Sequence, residues 1–392
     1  MDNDSNVKKI YLDNTATHFP KKKVIECMLP YLTDYWLNPS SPYIVENGIK
    51  GDIERARQVT KDFIGADIED NVIFTSGATE SNNTALKGFY FDTSKPRKNK
   101  KLITTKIEHS SILECIKDNS MECICLNVDK NGLINLSELE NLLNVYHTTD
   151  YDVLVSIHHV NNEVGSVQNI EAIGKLLSKY DNVTFHVDAT QSFGKLPLNV
   201  NECNIDMLSA SGHKIGTPKG IGILYVRNGV PLKPLISGKQ EGGMRGGTEN
   251  VPYIIAWGKA VELASLSFYY NTSLCQNMRK YAISKLKEAF PNCVINCEKQ
   301  LYPTDIISFT YPCDVNNESL SIMLSVMGVY VATGSACNTH SNKKSYVLKS
   351  IGLSDNEIDR TIRISLGEHL SFEDIDSAVK IMKDVLFLFF KE

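Results

Sequence analysis

The chain has 392 residues, of which 42% are hydrophobic and 22% charged, a composition typical of a globular protein larger than one ordinary domain. Its 41 basic and 46 acidic residues give a formal charge of −5, and without a dense basic surface we expect no direct nucleic-acid partner. No apolar stretch approaches the roughly 20 residues of a membrane helix, and the first residues have the pattern of neither a secretory signal nor a transit peptide, so we expect a cytoplasmic protein with no membrane partner.

Short runs of β-branched residues alternate with helical patterns along the first part of the chain. The predicted strands are residues 72–75, 101–105, 153–157, 183–187 and 206–209. A helical pattern over residues 170–180 separates two of them. This alternation predicts an α/β fold with a mostly parallel sheet flanked by helices on both faces.

The pattern changes from about Ser265, where longer helices and fewer strands are predicted. Ser371, with Asp374 three residues on, predicts the cap of a final helix. We therefore predict a large domain over residues 15–264. A smaller α+β domain is predicted from residues 1–14 and 265–392.

The ten cysteines are scattered, and only Cys123-x-Cys125 and Cys293-x3-Cys297 lie close together. Neither pair recurs at the spacing of a zinc site. We therefore expect no metal centre and no disulfide framework.

Polar residues follow several predicted strands, where ligands collect in doubly wound sheets. Gly77 and Thr79 open a helix that could cradle a phosphate, although an ordinary helix cap fits equally well. Asp188 could keep a pyridine nitrogen protonated or simply cap a loop. Lys214 could be a desolvated amine nucleophile, but spacing alone favours a surface lysine.

Four motifs in order along the chain resemble those of the cysteine desulfurases, class V aminotransferase-type enzymes of the pyridoxal phosphate fold type I. They are Asn161-Asn162-Glu163-Val164-Gly165, Val187-Asp188-Ala189-Thr190-Gln191-Ser192, Ser211-Gly212-His213-Lys214 and Gly247-Thr248-Glu249-Asn250. The resemblance covers nearly the whole chain and implies a sheet of the seven-stranded type. It also implies pyridoxal 5'-phosphate as cofactor and L-cysteine as substrate.

The resemblance assigns cofactor roles to residues that the pattern alone leaves open. Lys214 would bind the cofactor as a Schiff base, Asp188 would contact the pyridine nitrogen, and His109 would stack on the ring and help to move protons. Asn162 and Gln191 match contacts to the phenolic oxygen, and Ala78, Thr79, Ser211 and His213 match contacts to the phosphate. Thr248 matches a phosphate contact from a neighbouring subunit, which implies a homodimer.

Two further matches concern the substrate. Arg363, together with Asn162, matches the residues that bind it, and a guanidinium suits a carboxylate; the alternative is an exposed strand arginine. Cys337, in a polar stretch suited to a moving loop, matches the cysteine that accepts sulfur as a persulfide. The implied reaction converts L-cysteine to L-alanine, and the sulfur then passes to an acceptor protein.

Three alternatives remain: a selenocysteine lyase, another class V aminotransferase, and an inactive scaffold that binds a sulfur acceptor. The acceptor is unidentified, with iron-sulfur cluster assembly, tRNA thiolation, thiocofactor synthesis and a more specialised sulfur modification all open. The sequence departs from the common family pattern at Tyr43, at Lys343-Lys344 and at Glu368-His369-Leu370. These departures concern the loop's resting position, the local shape near Arg363 and the acceptor surface.

Overall fold

The computed structural model describes residues 8–42, 48–92, 99–300, 302–333 and 344–389. The elements up to residue 226 are, in chain order, β1 (Ile10–Tyr11), α1 (Lys22–Met28), α2 (Pro30–Thr33), α3 (Ile49–Ile64), β2 (Asn71–Thr75), α4 (Ala78–Tyr90), β3 (Asn99–Thr105), α5 (Ser110–Asp118), β4 (Cys123–Leu126), α6 (Leu136–His147), β5 (Tyr151–His158), α7 (Ile170–Leu177), β6 (Val183–Asp188), β7 (Met207–Ser211) and β8 (Gly222–Val226). The remaining elements are α8 (Val251–Ala289), β9 (Val294–Asn296), β10 (Ile306–Thr310), α9 (Asn317–Val326), β11 (Val329–Tyr330), β12 (Ala332–Thr333), α10 (Tyr346–Ser350), α11 (Asp355–Asp359), β13 (Thr361–Ser365) and α12 (Phe372–Phe387).

A seven-stranded sheet in the order β2-β8-β7-β6-β5-β3-β4 forms the centre of the first part. The pairs from β7 to β4 are parallel, and β8 runs antiparallel to both of its neighbours. The predicted mostly parallel sheet is thus confirmed, and the five predicted strands correspond to β2, β3, β5, β6 and β7. Strands β4 and β8 were not predicted, and the helix predicted over residues 170–180 ends at Leu177.

Strand β5, an interior strand of this sheet, is buried on both faces, as expected for a parallel sheet covered by helices. Val153, Val155 and Ile157 pack into one apolar cluster, whereas Leu154 packs into another. The division follows from the alternation of side chains along a strand. The sheet is therefore covered on both faces, and the carboxyl ends of its parallel strands lie along the same edge.

A second apolar cluster joins the amino terminus to the carboxyl-terminal part of the chain. Ile10 and Leu12 pack there with residues between Met278 and Leu386. Beside this cluster lies an antiparallel sheet in the order β12-β13-β10-β9. The predicted helix start at Ser371 and Asp374 is confirmed as a capping box that opens α12.

The 39-residue helix α8 connects the two parts. Trp257, near its start, packs in the core of the large sheet, whereas Met278 packs with the carboxyl-terminal cluster. The boundary predicted at residues 264/265 lies within this continuous helix, and the two-domain division remains a proposal. Within the described ranges, no helix is both long and apolar enough to cross a membrane.

Candidate active site

A cavity of about 490 Å³ lies at the carboxyl ends of β5, β6 and β7, beside the start of α4. Its size is in the range of small-molecule sites. Ten of the residues predicted for the site line it: Ala78, Thr79, His109, Asn162, Asp188, Gln191, Ser211, His213, Lys214 and Arg363. They meet because parallel strands place their carboxyl ends at one edge of the sheet.

Lys214 follows β7 in a short 3₁₀ turn, and its side chain is buried rather than on the surface. Its Nζ donates to the backbone carbonyls of Thr15 and Ala16, at 2.8 Å from the latter. These carbonyls belong to the segment after β1, so the amino terminus closes the cavity over the lysine. The surface alternative for Lys214 is therefore wrong.

Asp188, at the end of β6, is held by donors on both carboxylate oxygens. Thr190 donates to Oδ1 from its backbone nitrogen at 2.9 Å and from its hydroxyl at 2.5 Å. Asn82 donates to Oδ2 at 2.8 Å from Nδ2, which also donates to Ser111 Oγ at 2.9 Å. These donors fix the direction of the carboxylate.

His109 is the N-cap of α5, and its Nδ1 accepts from the Ser111 backbone nitrogen at 3.1 Å. The Ser111 hydroxyl lies 2.9 Å from the same Nδ1. An Nδ1 that accepts leaves the proton of a neutral ring on Nε2. Burial lowers the pKa of His109, and nearby Lys214 adds to that effect while Asp188 opposes it. The ring is therefore neutral at physiological pH.

The start of α4 forms one wall of the cavity. Gly77 precedes it with φ 154° and ψ 174°, a backbone conformation essentially restricted to glycine. The first amides of a helix have no acceptor within it, so those at Ala78 and Thr79 suit an anion. Ser211 and His213 line the same cavity. Burial lowers the pKa of His213 to about 4, with Lys214 adding to the effect.

Arg363 on β13 is 5% exposed, so the alternative of an exposed strand arginine is wrong. Its Nη1 donates to the Asn162 carbonyl at 2.9 Å, and its Nη2 donates to Asp13 Oδ1 at 2.7 Å. Its Nε is buried and has no hydrogen-bond partner within the described part of the chain. The guanidinium is therefore held rigidly at the edge of the cavity.

Of the other predicted residues, one is described but does not line this cavity, and one lies outside the described residues. Thr248 is exposed and does not line it; its contribution to a neighbouring subunit stays a prediction. Cys337 lies outside the described residues, as do the departures at Tyr43 and Lys343. Glu368 accepts from His18 at 3.0 Å and does not line the cavity.

Sequence reasoning missed several lining residues, among them Asn82, Ser111, His158 and the backbone of Thr15. His158 ends β5, so its position after an apolar run was a usable signal. Asn82 lies within α4, and Thr15 contributes a carbonyl oxygen to Lys214. Neither contribution has a sequence signature.

The chain is similar to several known proteins. The family model "Aminotransferase class-V" matches residues 10–377. A protein of Methanosarcina thermophila named cysteine desulfurase IscS is 38% identical, over 97% of this chain and 92% of its own. A solved NifS-like protein superposes with a TM-score of 0.86 at 32% identity, covering 97% of this chain and 100% of its own. A solved structure of SspA in complex with cysteine has a TM-score of 0.78 at 36% identity, covering 92% of this chain and 99% of its own.

Proposed function

The chain belongs to the aminotransferase class-V family, and from this premise we propose that it is a pyridoxal-phosphate-dependent cysteine desulfurase. The observation that carries the proposal is the meeting of the buried Lys214 amine, the Asp188 carboxylate and neutral His109 in one cavity. Relatives at 38% and 39% identity are named cysteine desulfurases. The complex of SspA with cysteine supports a cysteine substrate.

The residues of the cavity fit pyridoxal phosphate. Asn82 Oδ1 and Gln191 Oε1 are buried without a hydrogen-bond partner among the described residues, as expected where a ligand supplies the partner. The start of α4 would hold the phosphate, Asp188 the pyridine nitrogen and Lys214 the aldehyde carbon. When bound, the cofactor supplies a ring that accepts electron density from the substrate.

The protein's own groups would then position the substrate and move its protons. Arg363 would bind the substrate carboxylate through its guanidinium, beside the Asn162 side chain. The Lys214 amine, once released by the incoming substrate amine, would take and return a proton. His109 is placed to donate from Nε2, because its Nδ1 is already an acceptor.

Cys337 would perform the step that defines the reaction. Its thiolate attacks the sulfur of cysteine, so that a sulfur–sulfur bond forms and the carbon–sulfur bond breaks. The sulfur is oxidised to a persulfide on Cys337, and the substrate carbon is reduced and protonated to give alanine. No further oxidant is needed.

We further propose a homodimer in which Thr248 contributes to the neighbouring site, and a sulfur-acceptor protein that receives the persulfide sulfur. The exposed position of Thr248 on the single chain supports the first part. Iron-sulfur cluster assembly, tRNA thiolation, thiocofactor synthesis and a more specialised sulfur modification are the candidate destinations of the sulfur.

The proposal is tested by adding pyridoxal phosphate and L-cysteine to the purified protein and measuring visible absorbance and alanine. Wild type should bind the cofactor with a visible band and form alanine, whereas Lys214→Ala should lose both. Lys219→Ala is the matched control, because Lys219 also lines the cavity but has no role in our mechanism. A normal band and normal alanine formation in Lys214→Ala would contradict the proposal.

A further inference from the structure

A buried pair of ionisable residues, Glu108 and His158, lies beside the cavity. The Glu108 side chain is fully buried, and its Oε1 accepts from His158 Nδ1 at 2.9 Å. The same carboxylate accepts from the Thr105 hydroxyl at 2.8 Å and from the His158 backbone nitrogen at 3.0 Å. The carboxylate therefore fixes both the direction and the tautomer of His158, whose Nδ1 carries a proton.

The other ring nitrogen of His158 is unsatisfied. His158 is 4% exposed and lines the cavity, yet its Nε2 has no hydrogen-bond partner within the described residues. Leaving a buried polar group unpaired is energetically unfavourable. Such a cost is tolerated where a ligand supplies the missing partner.

His158 lies directly beside Asp188, because β5 and β6 are parallel and pair these two residues in register. Burial lowers the pKa of His158, but Glu108 and, more weakly, Asp188 outweigh that effect, and the pKa is raised. The neighbouring His159 has a pKa lowered to about 3 by burial and by His158, and is neutral. Glu108 and Asp188 therefore oppose the effect of burial on the His158 ring.

We propose that His158 is a further ligand-contacting residue of the cavity, whose Nε2 forms a hydrogen bond with the phenolic oxygen of a bound phosphorylated pyridine. Glu108 is its positioning residue. The inference rests on the proposed function, because it takes pyridoxal phosphate as the ligand. It adds a polar contact to the pyridine ring besides that of Asp188.

Binding to the cofactor-free protein tests this without any turnover. The probes are pyridoxal phosphate and 4'-deoxypyridoxine 5'-phosphate, which lacks the aldehyde and so cannot bond to Lys214. In His158→Asn the amide can replace Nδ1 towards Glu108 but leaves nothing at the position of Nε2. In His158→Gln the amide reaches the position of Nε2. His159→Asn is the matched control, because His159 does not line the cavity.

We expect His158→Asn to weaken binding of the deoxy analogue about tenfold, as for the loss of one hydrogen bond. His158→Gln should recover part of that loss, and His159→Asn should bind as wild type does. Unchanged binding by both His158 variants would overturn the inference and leave the proposed function intact. Failure of the wild type to bind either compound would overturn both.

A second measurement on the wild type keeps the inference testable if His158→Asn does not fold. The protein is labelled with ¹⁵N-histidine, and the His158 signals are assigned by comparison with His158→Gln. Addition of the deoxy analogue should shift the Nε2 resonance of His158 more than its Nδ1 resonance. An Nε2 resonance that does not move would overturn the inference.

Discussion

Asn82 donates from Nδ2 to Asp188 Oδ2 at 2.8 Å, and this bond begins a chain of contacts between two walls of the cavity. The same nitrogen donates to Ser111 Oγ at 2.9 Å, and that hydroxyl lies 2.9 Å from His109 Nδ1. One amide thus links the carboxylate predicted for the pyridine nitrogen to the histidine predicted to stack on the ring. The two groups are positioned together rather than independently.

Replacement of Asn82 by alanine should therefore impair both groups at once. A hydrogen bond to a charged group contributes about 1.5–3 kcal/mol, so we expect kcat/KM for alanine formation to fall roughly 10- to 100-fold. Asn119→Ala is the control, because the Asn119 side chain donates to the Cys115 carbonyl at the end of α5 and does not line the cavity. Wild-type kinetics in Asn82→Ala would show that the hydrogen bonds linking Asp188 to His109 are not needed for activity.

Arg363→Lys should raise KM for L-cysteine at least about tenfold, because an ammonium cannot present two parallel donors to a carboxylate. The comparison substrate is cysteamine, which lacks the carboxylate. Wild type should prefer cysteine strongly, and the variant should lose most of that preference. An unchanged ratio of the two kcat/KM values would remove Arg363 from substrate binding.

His186 should make stability depend on pH. It is fully buried between the hydroxyls of Ser156 and Ser209, at 2.8 and 2.9 Å, and burial lowers its pKa to about 4, opposed by Asp188. Unfolded chains protonate histidine below about pH 6.5, so between these values the unfolded state binds more protons. The stabilisation is thus present above about pH 6.5 and is lost as pH falls towards 4.

The test is urea denaturation of wild type and His186→Gln. Between about pH 7.5 and about pH 5.5, the stability of wild type relative to the variant should fall by about 1 kcal/mol. The difference between wild type and variant cancels the contributions of other ionisable groups. One of them is Glu163, whose contribution to stability changes with pH in the opposite direction, because burial raises its pKa to about 7. A difference that does not change with pH would mean that His186 is not a buried neutral ring.

Cys125 should be the most rapidly alkylated of the nine cysteines in the described residues. It is exposed on the edge strand β4, and a hydrogen bond from Cys123 lowers its pKa to about 7 against the opposing effect of burial. Thiolates, not thiols, react with iodoacetamide. Peptide mapping after brief treatment should find label on Cys125 before Cys115, which is buried and has a raised pKa. The reverse order would contradict this assignment.

Strand β5 was predictable because burial on both faces demands an apolar run. Strands β4 and β8 are apolar runs of four and five residues, which periodicity does not separate from a buried helix segment. The continuity of α8 was also missed, because each of its halves packs against a different cluster and no single apolar face marks the whole helix.

The positions of Asp188 and Lys214 at strand ends were predictable from the sequence, whereas their proposed roles came from the family resemblance and not from spacing. The candidate site was not predictable where function depends on tertiary contact. In the sequence, Asn82 is only a polar residue within a predicted helical stretch. Its contact with Asp188 depends on the tertiary fold. The carbonyls of Thr15 and Ala16 could be supplied by any residue type, so sequence cannot reveal their contact with Lys214.

The most direct test of the proposed reaction is a single turnover. The cofactor-loaded protein is mixed with L-cysteine at less than one equivalent, without reductant, and alanine is quantified while each cysteine peptide is analysed by mass spectrometry. We expect one alanine for each sulfur atom gained, with the added sulfur on Cys337 and none on Cys125. Pyruvate and free sulfide in place of alanine, or added sulfur on Cys125 rather than Cys337, would contradict the proposed reaction.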